Sequence, residues 1–186
     1  MAVIGSGPGG LAAAIAAKGH GAECVYVIER AEELGGILQQ CIHNGFGVKV
    51  LGADLTGPAY AQHFVSRCYD AGVQSLLDTM VLEVTPEKRI YATSSQNGIV
   101  EIQAEAIVLG MGCRERPRGA LAIAGTRPAG VYTAGTAQRL VNIEGYVPGR
   151  RFVILGSGDI GMIMARRLTF EGAQVERVLE IMPYLS

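Results

Sequence analysis

The stretch Val3-Ile4-Gly5-Ser6-Gly7-Pro8-Gly9-Gly10-Leu11, followed by Val25-Tyr26-Val27-Ile28 and then Glu29, decides how the chain folds. It combines an apolar strand, glycines at the first, third and sixth positions of a turn, an Ala-rich helix and a second strand. With an acid nineteen positions after Gly10, these parts make one βαβ unit of the dinucleotide-binding kind. Gly5 permits the tight turn off the strand, Gly7 lets backbone approach a pyrophosphate, and Gly10 lets helix and strand pack closely. The helix starting near Pro8 or Gly9 aims free N–H groups and its positive end at the same point. Proline suits a first turn because its nitrogen carries no hydrogen to leave unpaired. Glu29 can accept from both hydroxyls of an adenosine ribose, and its charge disfavours a 2′-phosphate.

Outward from this unit, 186 residues with 49% hydrophobic content suffice for a core and allow one domain or one and a half. A net charge of −1 argues against a nucleic-acid surface or an anionic membrane as partner. Arg114, Arg116, Arg118 and Arg127 cluster, but with Pro117 and Gly119 among them they read as a solvated loop. No apolar run reaches bilayer length and no signal peptide precedes the first motif. Cys24, Cys41, Cys68 and Cys113 have neither the paired spacing of a zinc site nor a disulfide-dense pattern, so no metal is expected and a reducing cytoplasm fits best. The first strand, Met1 to Ile4, is short for a sheet centre and reads as a trimmed start.

Along the chain, a helix over Gly9–Lys18 ends at Gly19-His20-Gly21, with His20 in an exposed loop. Residues 30–52 lack periodicity, and Gly35-Gly36, Gly45 and Gly47 sit there among Gln39, Gln40, Cys41, His43 and Asn44. An irregular stretch this long, directly after the acid, reads as a ligand-lining loop. A helix over Pro58–Ala71 takes Thr56 or Gly57 as its cap, and its apolar stripe is Tyr60 or Ala61, Phe64, Val65, Cys68 and Tyr69. Strands follow at Val73–Leu77, Met80–Val84, Arg89–Thr93 and Ile99–Ile102, the last three as an antiparallel meander with Asn97-Gly98 as a hairpin turn. Ala106–Leu109 reads as a buried parallel strand leading into Gly110-Met111-Gly112.

Residues 113–149 read as a connector with a modest helix over Thr136–Asn142. The opening pattern then returns. Strand Phe152–Leu155, turn Gly156-Ser157-Gly158-Asp159-Ile160-Gly161, helix Met162–Phe170 and strand Val175–Leu179 lead to Glu180, again nineteen positions after the sixth-place glycine. Two units with one spacing are far more specific than either alone. The domain reading is 1–112, a connector over 113–149, and the start of a second, incomplete domain over 150–186.

These features together resemble the two-dinucleotide flavoproteins of the pyridine nucleotide-disulfide oxidoreductase type, over essentially the whole chain. The segments 34–47, Met111 to Arg116 and Tyr132 to Gln138 are more specifically similar to a bacterial branch of NAD(FAD)-dependent dehydrogenases. That branch is related to the alpha subunit of sarcosine oxidase and to anaerobic glycerol-3-phosphate dehydrogenase. The resemblance implies an α/β fold: a Rossmann-like FAD-binding domain with a parallel sheet and three-stranded meander, then the first βαβ unit of a second Rossmann-like domain. It implies that Gly5, Ser6, Gly7, Pro8, Gly9, Gly10, Glu29 and Arg30 hold the ADP of FAD. Gly35, Gly36, Ile37 and Leu38 would run beside pyrophosphate and flavin, Thr79 to Val81 would reach adenine, and Gly110, Met111 and Gly112 would replace an Ala-Thr-Gly turn. Gly156, Gly158, Asp159, Ile160, Gly161 and Glu180 would serve NADH, which the carboxylate favours over NADPH.

Three departures qualify this expectation. The disulfide reductases carry a Cys-x-x-x-x-Cys pair after the Gly-Gly, and here Cys41 stands alone at neither offset, which argues against an internal redox disulfide. Cys41 as a redox thiol and His43 as a proton donor near flavin are the only catalytic candidates. For each, a structural role is the favoured alternative. The family's remaining nicotinamide domain and its C-terminal Gly-Asp segment have no counterpart here, so the chain reads as an N-terminal portion, inactive alone, with flavin retention open. The function implied is electron transfer between NAD(P)H and a second substrate or acceptor through flavin, with a partner subunit or homo-oligomer possible. The alternatives are a non-catalytic nucleotide-binding subunit or redox-sensing module of a larger dehydrogenase and, third, a flavin-free NAD-dependent dehydrogenase.

Overall fold

The computed structural model describes residues 1–184, which form two compact units dividing between Cys113 and Arg114. In the first unit, β1 (Ala2–Ile4), β2 (Tyr26–Ile28), β3 (Gln74–Leu76) and β7 (Ile107–Leu109) form a parallel sheet in the order β3-β2-β1-β7. Val3 pairs with Val27 on one side and Val108 on the other, so the strand leading into the first glycine turn lies inside the sheet. Side chains alternate between faces along each strand. Val3 and Val27 meet Leu11 and Ala14 of α1 (Pro8–Gly19) and Phe64, Val65 and Cys68 of α3 (Gly57–Asp70). Ala2, Ile4 and Ile28 face the other way, against Ile90 and Ala104. Both faces are covered, which is why β1 (Ala-Val-Ile) and β2 (Tyr-Val-Ile) are apolar throughout instead of alternating, while the edge strand β3 carries Gln74 and Ser75.

The second face is covered by the meander β4 (Thr79–Val84), β5 (Arg89–Ser94) and β6 (Gly98–Gln103). Ser94 pairs with Gly98, so the hairpin loop is the three residues 95–97 and Asn97-Gly98 is not a two-residue turn. Gly98, at φ +66°, supplies the left-handed residue that closes such a loop. Helix α3 is capped by Thr56, whose side chain accepts from the Ala59 N–H at 3.4 Å. Its buried stripe is Ala61, Phe64, Val65 and Cys68; Tyr69, expected in that stripe, is 57% exposed because the stripe ends one position earlier. The irregular 30–52 stretch holds two short elements, a 3-10 turn over Gly36–Gln40 and α2 (Val48–Leu51).

The second unit holds α4 (Ala134–Asn142), β8 (Arg151–Leu155), α5 (Asp159–Phe170) and β9 (Gln174–Leu179), with β8 and β9 parallel. Helix α4 belongs to its core: Ala137 and Val141 pack with Met164 and Leu168 of α5, and Phe152 and Val175 join from the strands. Val153 and Leu155 project from the opposite face and are exposed. Among the described residues, no helix is long and apolar enough to cross a membrane.

Candidate functional site

In the first unit the glycine turn is built by close backbone packing. Gly5 has φ +96°, and a Cβ there would lie 2.5 Å from the Gly110 carbonyl oxygen. A Cβ on Gly10 would lie 1.9 Å from the Gly5 carbonyl oxygen. Gly5 N–H donates to Ile28 O at 2.8 Å and Gly110 N–H to Ile4 O at 2.7 Å, which ties the turn to both neighbouring strands. Gly110 therefore belongs to the turn's packing, while Met111 and Gly112 beyond it are exposed.

Gly7 is different. Its φ of −64° and ψ of 178° suit any residue, and a Cβ there would meet nothing within 4 Å. Neither conformation nor packing asks for glycine at this point. The open space lies directly before α1, whose N-cap has no side-chain partner and whose first turn has no acid. Such space beside unpaired helix N–H groups suits an anionic oxygen brought close to backbone. Gly9 likewise meets nothing, and Pro8 stands beside it in the first turn.

The acid is gripped by the turn itself. Glu29, buried at 6% exposure, accepts from Ser6 N–H at 2.9 Å and from Ser6 Oγ at 2.6 Å, both on Oε2. Its Oε1 accepts from Ala31 N–H at 3.0 Å. A carboxylate offers about four acceptor positions. The remaining one, on Oε1, has room for one further donor, so the expectation that Glu29 serves two ribose hydroxyls fits only if one of these bonds is shared or given up.

Ser6 also faces the Gly-Gly pair: Gly35 N–H reaches Ser6 O and Ser6 Oγ, each at 3.1 Å. Gly35 (φ +117°) and Gly36 (φ +56°) are left-handed, and a Cβ on Gly36 would lie 2.9 Å from Gly7 Cα. The structure thus brings Gly5, Ser6, Gly7, Gly10, Glu29, Gly35, Gly36 and Gly110 together. Arg30 and Ile37 are exposed and Leu38 is buried. Val81 packs on the sheet near Ala2, Ile4 and Ile28, and Thr79 N–H donates to Glu29 O at 2.9 Å.

Cys41 is buried, and desolvation raises its thiol above the usual value, which keeps it protonated near neutrality. Its carbonyl accepts from Gly57 N–H at 2.8 Å, at the start of α3. His43 shares a hydrogen bond with Asn44 O at 2.8 Å, and its ring lies 5.2 Å from that of Phe46, the outer end of a row continuing through Tyr60 to Phe64.

The second unit repeats the grip. Ser157 N–H and Oγ donate to Glu180 Oε2 at 2.8 and 2.7 Å, and Ile181 and Met182 N–H donate to Oε1 at 2.7 and 3.0 Å. The Met182 N–H, then the Ser157 hydroxyl and N–H, hold the carboxyl down to about 2. Gly158, like Gly7, has an ordinary backbone (φ −60°, ψ 161°) and nothing within 4 Å of a Cβ, whereas Gly161 is forced by the Gly156 carbonyl at 2.7 Å. Asp159 opens α5 where Pro8 opens α1, and its charge already complements the helix end. Ile160 is half-buried beside it. Ser157 is absent from the residues expected from sequence; the repeated Gly-Ser-Gly at 5–7 and 156–158 is the signal that points to it.

Parallel strands, crossover helix, glycine turn and gripped acid, present in both units, define a Rossmann-like α/β protein. The chain belongs to the pyridine nucleotide-disulphide oxidoreductase family, whose model matches residues 1–186. It is 27% identical over 185 residues to an opine oxidase subunit from Agrobacterium tumefaciens (strain Ach5), covering 97% of this chain and 36% of that protein. It is 26% identical over 202 residues to the alpha subunit of sarcosine oxidase from Rhizobium meliloti (strain 1021), covering 98% and 19%. Among solved structures, L-proline dehydrogenase from P. horikoshii superposes with a TM-score of 0.69 at 22% identity, covering 97% of this chain and 34% of that one, a likeness of fold. The chain spans little more than a third of the length of the first curated relatives it matches.

Proposed function

We propose that the chain is a portion of an FAD-dependent oxidoreductase that passes electrons between NAD(P)H and a second substrate or acceptor. The observation that carries this reading is the open space at Gly7, where glycine answers no demand of the fold, set between unpaired helix N–H groups and an acid locked by the same turn. In this reading Gly5 through Gly10 cradle the FAD pyrophosphate, and Glu29, beside exposed Arg30, binds the adenosine ribose. Gly35, Gly36, Ile37 and Leu38 continue toward the flavin, Val81 lies toward adenine, and Gly110, Met111 and Gly112 close the far side. Bound flavin would supply two-electron exchange with a nicotinamide. Gly156, Gly158, Asp159, Ile160, Gly161 and Glu180 form the nicotinamide-nucleotide side, with Glu180 setting NADH above NADPH by repelling a 2′-phosphate. Burial of Cys41 and the aromatic setting of His43 support structural roles for both.

The opine oxidase and sarcosine oxidase relatives, both named as subunits, support an assembly with a partner subunit. A cytoplasmic location completes the reading.

The same subunit names favour a second reading, a nucleotide-binding subunit that catalyses nothing itself. An absorbance spectrum of the purified full-length protein that contains this chain, taken with and without NADH in the absence of oxygen, separates the readings. A flavin band bleached by NADH is expected. A flavin band that NADH leaves intact supports the second reading, and a protein that takes up no FAD overturns the flavin assignment.

A further inference from the structure

Ser6 occupies a position that neither the glycine fingerprint nor the acid explains. It is fully buried, and its hydroxyl works in two directions, donating to Glu29 Oε2 at 2.6 Å and accepting from Gly35 N–H at 3.1 Å. The Ser6 N–H holds the same Oε2 at 2.9 Å, so two donors on one residue fix one carboxylate oxygen and thereby the direction of the other. On its far side the Gly35-Gly36 turn is held against Gly7, close enough that a Cβ on Gly36 would lie 2.9 Å from Gly7 Cα. Three chain segments that are distant in sequence, the glycine turn, the end of β2 and the Gly-Gly turn, converge on this one hydroxyl.

We propose that Ser6 is a positioning residue: its hydroxyl pre-sets the Glu29 carboxylate for a ribose hydroxyl and joins that carboxylate to the Gly35-Gly36 turn beside the pyrophosphate. The proposal rests on the nucleotide-binding reading of the first unit. A carboxylate on a flexible side chain loses rotamer freedom when it binds, and a grip already in place removes that cost from the binding step. The hydrogen bond from a hydroxyl to an ionised carboxylate is of the stronger, charge-assisted kind. The second unit repeats the device with other residues around it: Ser157 N–H and Oγ hold Glu180 Oε2 at 2.8 and 2.7 Å. A hydroxyl at the same place in both turns, on the same oxygen of the same residue type, follows the acid and not the local packing, because the neighbours of the two turns differ.

The test pairs the serine with the sugar hydroxyls. FAD and its 2′,3′-dideoxyadenosine analogue are titrated into the flavin-depleted full-length protein that contains this chain and into its Ser6→Ala variant, with binding read by flavin fluorescence. Alanine keeps the N–H to Glu29, and Gly35 N–H still reaches the carbonyl of residue 6 at 3.1 Å, so the turn retains its backbone bonds. The dissociation constant for FAD is expected to rise about tenfold, and that for the dideoxy analogue to move by less than about twofold. Ser6→Cys, which fills the space with a weak donor, provides a second variant should alanine disturb folding, and the same contrast is expected. If a folded variant loses affinity for both ligands equally, or for neither, the serine only supports the turn and the proposal fails. If the unsubstituted full-length protein binds neither ligand, the nucleotide reading of the first unit fails and takes this proposal with it.

Discussion

Gly10 passes so close beneath Gly5 that a Cβ on it would lie 1.9 Å from the Gly5 carbonyl oxygen. That oxygen belongs to a turn held on both sides, by Gly5 N–H to Ile28 and Gly110 N–H to Ile4, and has no free direction in which to retreat. Gly10→Ala is therefore expected to destabilise the first unit by about 3 kcal/mol or more, at or beyond the upper end of ordinary overpacking. The corresponding Gly161 is less tightly placed, 2.7 Å from Gly156 O, so Gly161→Ala should cost the second unit less, about 1–2 kcal/mol. Urea denaturation followed by circular dichroism checks the order; equal losses would contradict it.

Gly7 gives the opposite expectation. Its backbone suits any residue and its surroundings are open, so Gly7→Ala should change stability by less than about 1 kcal/mol, the scale of an N-cap substitution. A methyl in that space would stand where the pyrophosphate is proposed to lie, and FAD binding should fall at least about tenfold. Calorimetric titration beside a denaturation curve measures both. A stable variant that still binds FAD at full affinity would remove the main support for the ligand reading.

The contrast between these two glycines also marks how far the sequence could be read. Strand, turn, helix and acid were legible because each leaves a periodic or punctuated trace, and the duplicate at Gly156 to Glu180 doubled that trace. The 3-10 turn at Gly36–Gln40 and the four-residue α2 are too short for periodicity to register. Tyr69 fits the helical spacing of the α3 stripe yet lies outside, because spacing gives a direction and not the point where cover ends. The sequence places Ser6 and Glu29 on separate motifs; only the turn's curvature brings hydroxyl and carboxylate together, so the grip could not be read from spacing alone. Spacing hides the contact between Ser157 and Glu180 in the same way, and the repeated Gly-Ser-Gly at 156–158 is its one trace in the sequence.

The four cysteines should divide into two classes. Cys24 and Cys113 are exposed, while Cys41 and Cys68 are buried with their thiols pushed up by desolvation; Cys68 Sγ donates to Leu11 O at 3.6 Å. Iodoacetamide at about pH 8 should therefore modify two thiols rapidly and the other two only on unfolding, since the thiolate is the reacting form. Peptide mapping by mass spectrometry assigns them. Rapid native labelling of Cys41 would reopen it as a redox thiol.

Glu180 makes the second unit sensitive to acid. Its carboxyl is lowered from the usual 4.5 to about 2, first by the Met182 N–H and then by the Ser157 hydroxyl and N–H. A carboxyl whose value is lower folded than unfolded favours folding when ionised. The contribution is therefore fully present above about pH 4.5 and disappears as the pH falls through about 2. Carbon-13 NMR of labelled glutamate side chains should find one residue titrating near the bottom of that window. Ser157→Ala should move it upward, because one of the donors to the ionised form is gone while the Met182 and Ile181 N–H groups remain. Titration of Glu180 at the ordinary glutamate value in the unsubstituted chain would show that the grip seen at Ser157 does not hold in solution.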